Sequence, residues 1–236
     1  MTDQMTDYRN LASELVRELL KKGADACDVY VSSVDGFQTT IRLGNIEKLQ
    51  QSNSTGLGMR VFKNQAVAMT YTTDFRDRTI RQLVDETPPI VRVSSADEFN
   101  GLAPPQLLGE YDGQLQMFDQ SLAEVTPEQK IAMVREMESV GLGYDPRITN
   151  SNGANWSNSI GQVTLANSDG FVGQYRTTSA NMSVALLAEQ DGVKQRDYWY
   201  TFNRFYGKLD SPSSVGAEAG RRVVARLGGR KVRSQS

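Results

Sequence analysis

The stretch Ile41–Thr73, with the sequence IRLGNIEKLQQSNSTGLGMRVFKNQAVAMTYTT, decides the fold class of this chain. Its residues alternate in type with a period of two, which is typical of half-buried β-strands. The alternation is interrupted at Gly44-Asn45, at Ser54-Thr55-Gly56 and at Lys63-Asn64. Residues of these types favour tight turns, so the stretch predicts a meander of antiparallel strands.

Helices are predicted on both sides of this stretch. An apolar stripe that ends at Gly23 predicts a first helix, with Thr6 or Asp7 as its N-terminal cap. A second helix is predicted to begin near residues 73–74. We expect Pro88-Pro89 to kink or end it, because proline lacks a backbone donor and clashes with the preceding turn.

Two further strands are predicted between the first helix and the meander. Residues Asp28–Val34 and Phe37–Leu43 alternate in polarity, and the Asp35-Gly36 pair between them is a typical hairpin dipeptide. The first half therefore predicts a helix, several antiparallel strands and a helix, which is an α+β layer.

A long connection is predicted between Ser94 and Asp119, where glycine and proline interrupt every regular pattern. We place a domain boundary there, near residue 113, so that residues 1–113 form an N-terminal α+β domain and residues 114–236 a central α+β domain. The predicted fold class is thus α+β, with two consecutive helix-plus-antiparallel-sheet domains.

The second half begins with a well-marked helix. Thr126 is its predicted cap, Pro127 occupies the first helical position and Gln129 completes a capping box. A last helix is predicted from a Ser211 or Ser213 cap to Gly228-Gly229. Between these helices lie four predicted strands, at residues 152–157, 160–167, 170–189 and 192–205, joined by turns at 158–159, 168–170 and 190–192.

Composition excludes several classes of protein. The formal net charge of −2 argues against a general nucleic-acid or membrane-surface binder. No apolar run approaches the ~18 residues that span a bilayer, and the first ten residues lack a signal-peptide pattern. One cysteine excludes an internal disulfide. We therefore expect a cytoplasmic protein.

The residues that carry most hydrolytic chemistry are missing. The chain has no histidine, so it has no Ser-His-Asp or Cys-His arrangement and no histidine-based zinc site. Its acidic residues are scattered, Cys27 is interpreted as a small buried hydrophobe, and Gly56-Leu57-Gly58 lies between strands rather than before a helix. We accordingly assign no catalytic, cofactor-binding or metal-ligating residue.

Three other segments allow more than one interpretation. The aromatic residues between Arg196 and Phe202 fit a strand with one ring face in the core and the other on the sheet surface, or else an interface or peptide-contact surface. The basic residues between Arg221 and Arg233 fit the solvated end of the last helix better than a nucleic-acid site. The Asn- and Ser-rich segment around Trp156 is interpreted as turn chemistry.

Several segments together resemble the TldD/PmbA family, whose members are described as metallopeptidases and as modulators of DNA gyrase. The resemblance begins in the meander and covers most of the chain. The Arg196–Thr201 segment and the last helix, from Val215-Gly216 to Leu227-Gly228, resemble the PmbA branch, also called TldE. Gly101-Leu102-Ala103-Pro104 resembles the family's turn after the second helix, whereas Pro88-Pro89 departs from its pattern.

The resemblance implies a three-part protein of which this chain holds the first two parts, with the β-rich C-terminal domain absent. In the TldD branch that domain carries a His-Glu-x-x-x-His zinc motif, to which no residue here corresponds. The resemblance therefore implies a non-catalytic component of a cytoplasmic TldD-type zinc metallopeptidase system that acts on unfolded or leader peptides. Zinc is expected only in a TldD-like partner subunit, in a heterodimer, and no cofactor is expected in this chain.

Three alternatives stay open from the sequence. The chain could be a regulatory or binding module that acts on a partner such as DNA gyrase, or a truncated, inactive fragment of the family. A self-sufficient enzyme with a carboxylate-only metal site is the remotest of the three. Peptide is a possible ligand, through an exposed strand edge that the sequence does not identify, and neither membrane nor nucleic acid is an expected partner.

Overall fold

A computed structural model of the chain describes residues 6–109 and 115–230. The first half holds α1 (Arg9–Lys21), β1 (Ala26–Arg42), β2 (Asn45–Lys63), β3 (Ala66–Thr72) and α2 (Asp77–Ile90). The second half holds α3 (Gln120–Glu124), α4 (Pro127–Gly143), β4 (Ile148–Asn167), β5 (Val172–Gln190), β6 (Val193–Asn203) and α5 (Pro212–Ala225). Short 3-10 turns follow α2 at Val91–Val93, precede α3 at Pro105–Leu107 and precede α5 at Tyr206–Lys208.

The six strands form a sheet with the order β3-β2-β1-β4-β5-β6. β2 pairs antiparallel with β3, and β5 pairs antiparallel with β6. β1 and β4 are also antiparallel, since Cys27 lies beside Ser168 and Thr40 lies beside Asn155. Each half thus supplies helices and an antiparallel meander, and the predicted α+β class is confirmed.

The sharp turns of the sheet are marked by left-handed backbone conformations. Leu43 and Gly44 have φ values of 48° and 78°, and Asp191 and Gly192 have φ values of 53° and 76°. Positive φ at two successive residues is what the tight turns of β-hairpins require. The predicted turns near residues 44, 64, 169 and 191 are therefore confirmed.

Three predicted turns are wrong, because the strands run straight through Asp35-Gly36, Ser54-Thr55-Gly56 and Asn158-Ser159. None of these residues has a positive φ. Their polar side chains instead form hydrogen bonds between neighbouring strands or along one strand. The bonded atoms are Asn53 Nδ2 and Asp35 Oδ1 (2.5 Å), Ser33 and Thr55 hydroxyls (3.0 Å), and Ser159 and Ser179 hydroxyls (2.8 Å).

Trp156 also corrects an interpretation from the sequence. The Asn- and Ser-rich segment around it is a central part of β4 and not a set of turns. The indole is fully buried, and its Nε1 donates a hydrogen bond of 2.8 Å to the side-chain oxygen of Asn158. Asparagine and serine are accepted within this strand because their polar groups find partners there.

The predicted caps of α4 and α5 are confirmed, whereas that of α1 is wrong. The N-cap of α1 is Tyr8 rather than Thr6 or Asp7, although the Asp7 side chain accepts a hydrogen bond from the Arg9 amide at 3.0 Å. Thr126 and Gln129 form the predicted capping box of α4, and Ser211 caps α5. α2 begins at Asp77, three residues later than expected, and it continues through both prolines to end at Ile90. The short helix α3 was not predicted.

Packing divides the chain into two compact units, each of which takes segments from both halves. The first unit comprises residues up to 35, 53–117 and 161–177, and the second comprises 36–52, 118–160 and 178 onwards. The predicted boundary near Gly113 lies outside the described residues. The division into domains 1–113 and 114–236 therefore stays a prediction.

Each unit has its own apolar core beneath helices. In the first unit, α1 and α2 pack on alternate residues of β1, β2 and β3, among them Val29, Val31 and Met59. In the second unit, α4 and α5 pack on alternate residues of β1, β4 and β5, among them Ile41, Trp156 and Met182. Among the described residues, no helix is both long and apolar enough to cross a membrane.

A buried carboxylate holds the turn between β1 and β2. Glu138 on α4 is almost fully buried, and its two oxygens accept hydrogen bonds from the backbone amides of Leu43 and Gly44, at 2.9 Å each. Both residues adopt positive φ at this turn. No local sequence pattern indicates this contact, because it joins residues about a hundred positions apart in the chain.

We expect Glu138→Gln to lower the free energy of unfolding by about 1–3 kcal/mol, because an amide cannot accept both hydrogen bonds and turns a donor towards one buried amide. Urea unfolding monitored by circular dichroism measures the change. Glu14→Gln, an exposed substitution on α1, serves as the control and should change the value by less than about 0.5 kcal/mol. Equal effects of the two variants would contradict the assignment.

Candidate functional site

β6 is the last strand of the sheet on one side, so its outer backbone edge has no strand partner within residues 6–109 and 115–230. Along its inner edge it pairs with β5 over eleven consecutive residues, from Val193 opposite Gln190 to Asn203 opposite Ala180. A long edge strand presents a row of backbone donors and acceptors to any extended chain that approaches it. This edge is the candidate functional site.

Three of the four aromatic rings of β6 lie on its exposed face. Tyr198, Tyr200 and Phe202 remain 55%, 50% and 60% exposed, whereas Trp199, on the opposite face, packs against the apolar core of the second unit. The rings of Tyr198 and Tyr200 are stacked, with centroids 6.4 Å apart and planes inclined by 22°. Alternation therefore separates one structural ring from three that are accessible to a ligand.

The strand beside this ring row offers small, uncharged side chains. In the register of the two strands, Ala185 lies opposite Tyr198, Ser183 opposite Tyr200 and Asn181 opposite Phe202. Residues directly opposite each other in an antiparallel pair share a face of the sheet. The rings are consequently flanked by half-buried side chains that leave their exposed surfaces free.

An ion-pair cluster on the other face fixes β6 to α5. The buried carboxylate of Asp197 lies 3.3 Å from Arg226 Nη1 and 3.6 Å from Arg222 Nη2, and it accepts the Tyr198 amide at 2.8 Å. The Arg222 guanidinium also lies over the Trp199 ring, 5.0 Å from its centroid. Two of the basic residues near the C-terminus thus have a structural role.

The remaining basic residues of that run lie on the surface or outside the described residues. Arg221 pairs with Glu218 on the surface of α5, at 2.7 Å. Lys231 and Arg233 lie outside the described residues. With three of its members engaged by carboxylates, the run fits the last helix and its contacts better than a nucleic-acid site.

The electrostatic environment keeps Asp197 ionised. Burial opposes ionisation of its carboxyl group, but the Tyr198 amide and the guanidiniums of Arg226 and Arg222 stabilise the carboxylate, so its pKa lies below the ordinary value. At neutral pH the cluster therefore carries one negative and two positive charges, and its attraction is fully present.

The structure gives no catalytic or binding role to the other residues considered in the sequence, Cys27, Gly56 and Gly58. Cys27 is fully buried, with its Sγ 3.6 Å from the carbonyl oxygen of Val16, and burial raises the pKa of its thiol to about 12. Its interpretation as a buried hydrophobe is confirmed. Gly56 and Gly58 lie within β2 without positive φ, so they form no phosphate-binding loop.

A metal site needs several ligands that converge on one point. Catalytic zinc sites use three protein ligands drawn from His, Cys, Asp and Glu. Over residues 6–109 and 115–230, no three side chains of these types lie close enough to hold one ion. The donor set of the described residues therefore does not fit zinc.

Two family models match the chain. PmbA/TldA metallopeptidase domain 1 matches residues 27–87, and the PmbA/TldA metallopeptidase central domain matches residues 120–227. Metalloprotease PmbA of Escherichia coli O157:H7 is 31% identical over 97% of this chain and 51% of that protein. Its homologue from Haemophilus influenzae is 29% identical over 97% and 50%. The chain thus spans about half the length of the curated relatives it matches.

Solved structures show the same fold. The crystal structure of a proposed modulator of DNA gyrase from Bacteroides thetaiotaomicron matches 96% of this chain and 52% of its own, with a TM-score of 0.85 and 24% identity. TldE from Thermococcus kodakarensis matches 89% of this chain and 46% of its own, with a TM-score of 0.78 and 15% identity. At these identities the likeness concerns the fold.

We expect Asp197→Asn to lower the free energy of unfolding at neutral pH by about 1.5–3 kcal/mol, because two guanidiniums lose their anionic partner. The pKa of Asp197 is lowered by folding, so the wild-type advantage is complete above the unfolded-state pKa of about 4. It is lost as the pH falls through the lower folded-state pKa.

Denaturant unfolding of both proteins from neutral to acidic pH measures this difference. Asp210→Asn, an exposed change in the loop after β6, is the control and should have little effect at any pH. A difference between wild type and Asp197→Asn that grows on acidification would contradict the assignment.

Proposed function

Because the chain belongs to the TldD/PmbA family, we propose that it is a PmbA/TldE-like, non-catalytic component of a cytoplasmic TldD-type zinc metallopeptidase system. In this proposal the chain binds and orients unfolded or leader peptides, and a TldD-like partner subunit cleaves them. The observation that supports this proposal is the edge strand β6 with its three exposed aromatic rings.

Peptide contact through β6 follows from the chemistry of an edge strand. An extended peptide can add to the sheet by main-chain hydrogen bonds, which do not depend on the peptide's sequence. Tyr198, Tyr200 and Phe202 then offer apolar contact to side chains on one face of the peptide. Unfolded and leader peptides suit this mode because they are already free to adopt an extended conformation.

The hydrolytic chemistry is assigned to the partner. A zinc ion in a peptidase polarises the scissile carbonyl and activates a water molecule. The chain contains no histidine, and the donor set of the described residues does not fit zinc. We therefore assign no step of hydrolysis to any residue of this chain, whose role is to hold the peptide.

An assay with an unfolded peptide tests the division of labour. We expect no cleavage by this chain alone, cleavage when a TldD-like subunit is added, and loss of that cleavage with a metal chelator. Cleavage by this chain alone that a chelator abolishes would overturn the proposal.

The same assay tests the main alternative. If the chain neither associates with a TldD-like subunit nor alters its cleavage of peptides, a peptidase role is refuted. That outcome would favour a regulatory module, and supercoiling assays with DNA gyrase would then follow.

We expect Tyr200→Ala to weaken binding of an extended, apolar peptide about tenfold, because the variant loses the central ring of the row. Fluorescence anisotropy with a labelled peptide measures the affinity, and thermal unfolding verifies the fold. Tyr71→Ala on β3, where the ring is 85% exposed, is the matched control. Equal losses in the two variants would show that β6 is not the contact surface.

A further inference from the structure

The exposed face of β6 carries a charge pattern as well as rings. In chain order its residues are Lys194, Arg196, Tyr198, Tyr200 and Phe202, and every one of these side chains is exposed. The two cations precede the three rings, so the face has a charged end and an apolar end. This asymmetry can distinguish one peptide sequence from another, which hydrogen bonds to the main chain alone cannot do.

The two cations differ in their partners. Lys194 Nζ lies 3.7 Å from Glu189 on the neighbouring strand, so much of its charge is balanced within the protein. Arg196 lies opposite Leu187 in the strand register, and no carboxylate of the described residues pairs with it. Arg196 is thus the free positive charge of this face, two residues from the first ring.

An added strand would bring its own side chains into register with this face. Opposite residues in neighbouring strands have Cβ atoms about 4.5–5.5 Å apart, and pairs of opposite charge or of apolar character stabilise the ladder. An apolar residue is therefore favoured opposite each ring, and an acidic residue is favoured opposite Arg196. These positions alternate along the peptide with others that point to the opposite face.

On the basis of the proposed peptide role of β6, we propose that this edge selects extended peptides of one pattern. In this pattern, three apolar residues stand at every second position, and Asp or Glu stands two positions after the third. We expect the peptide to pair antiparallel to β6, because antiparallel pairing is somewhat more stable than parallel pairing. The N-terminal part of the peptide then lies opposite Phe202 and its C-terminal part opposite Arg196, so the acidic residue comes last. Arg196 is a specificity-determining residue in this scheme, and the rings supply most of the affinity.

A peptide fits this face better than single-stranded nucleic acid does. Nucleic-acid binding depends on several cations that track the phosphates. On this face, Arg196 is the one cation without a carboxylate partner among residues 6–109 and 115–230. The unpaired backbone edge of β6 is also a feature that a peptide can use and a nucleotide chain cannot.

Capped peptides with threonine spacers and alternating valines, ending in Glu or in Lys, test the selection by anisotropy. We expect the wild-type chain to bind the Glu peptide about tenfold more tightly than the Lys peptide, and the difference to shrink at high salt. Arg196→Glu should invert the preference, and Arg196→Gln should abolish it. Arg78→Glu, the same charge change at an exposed site on α2, should leave it unchanged.

The possible failures are distinguishable. Equal binding of both peptides, with Tyr200→Ala still weakening both, would overturn the charge selection and leave the proposed function intact. Tighter binding of a peptide with the acid placed first would overturn the antiparallel arrangement. Competition by a thymidine oligonucleotide that Arg196→Glu weakens would replace the peptide with a nucleic acid. Absence of binding by every peptide would count against the proposed function itself.

Discussion

The structure depends on strands that present apolar side chains to the helices on one face and polar side chains on the other. In the second unit, Met182 and Val184 of β5 pack beneath helices, while the intervening Asn181 and Ser183 lie on the face that the helices do not cover. Polar side chains can remain on that face because they bond to each other across the strands, as the Thr40 hydroxyl does to the Asn155 side chain at 2.7 Å. Helical cover on one face leaves the other face and the edge of β6 for contacts with other molecules.

Local sequence patterns predict which helices and strands form, but they do not predict how long the strands are. The alternation, the capping box at Thr126 and the glycine turns were predictable because neighbouring residues produce them. Asp35-Gly36 and Asp191-Gly192 have the same composition, yet only the second pair adopts positive φ and turns. The difference lies in neighbouring strands, such as the Asn53 amide that bonds Asp35 across the ladder. A single sequence does not reveal those partners.

The candidate site could be predicted only in part, because local patterns show how residues alternate along a strand but not which strands are neighbours. Period-two alternation in the segment Arg196–Phe202 predicted rings on two faces, but it could not show that β6 ends the sheet. The partners of Asp197 were equally hidden, since Arg222 and Arg226 lie more than twenty residues further along the chain. In the sequence these arginines form only a basic run, and the fold shows that two of them pair with a buried carboxylate.

The two faces of β6 are energetically linked although they perform different tasks. Asp197 holds the strand to α5 from below, and this anchoring keeps Tyr198 and Tyr200 in place above. In the proposed peptide complex, an edge that is already ordered would lose less conformational entropy, and the buried ion pairs would favour binding without touching the ligand. Asp197, Trp199 and Thr201, on the side of β6 that faces α5, should therefore govern stability first and binding only through it. Tyr198, Tyr200 and Phe202, on the exposed side, should govern binding alone. The side of the strand on which a substitution lies thus separates the two effects.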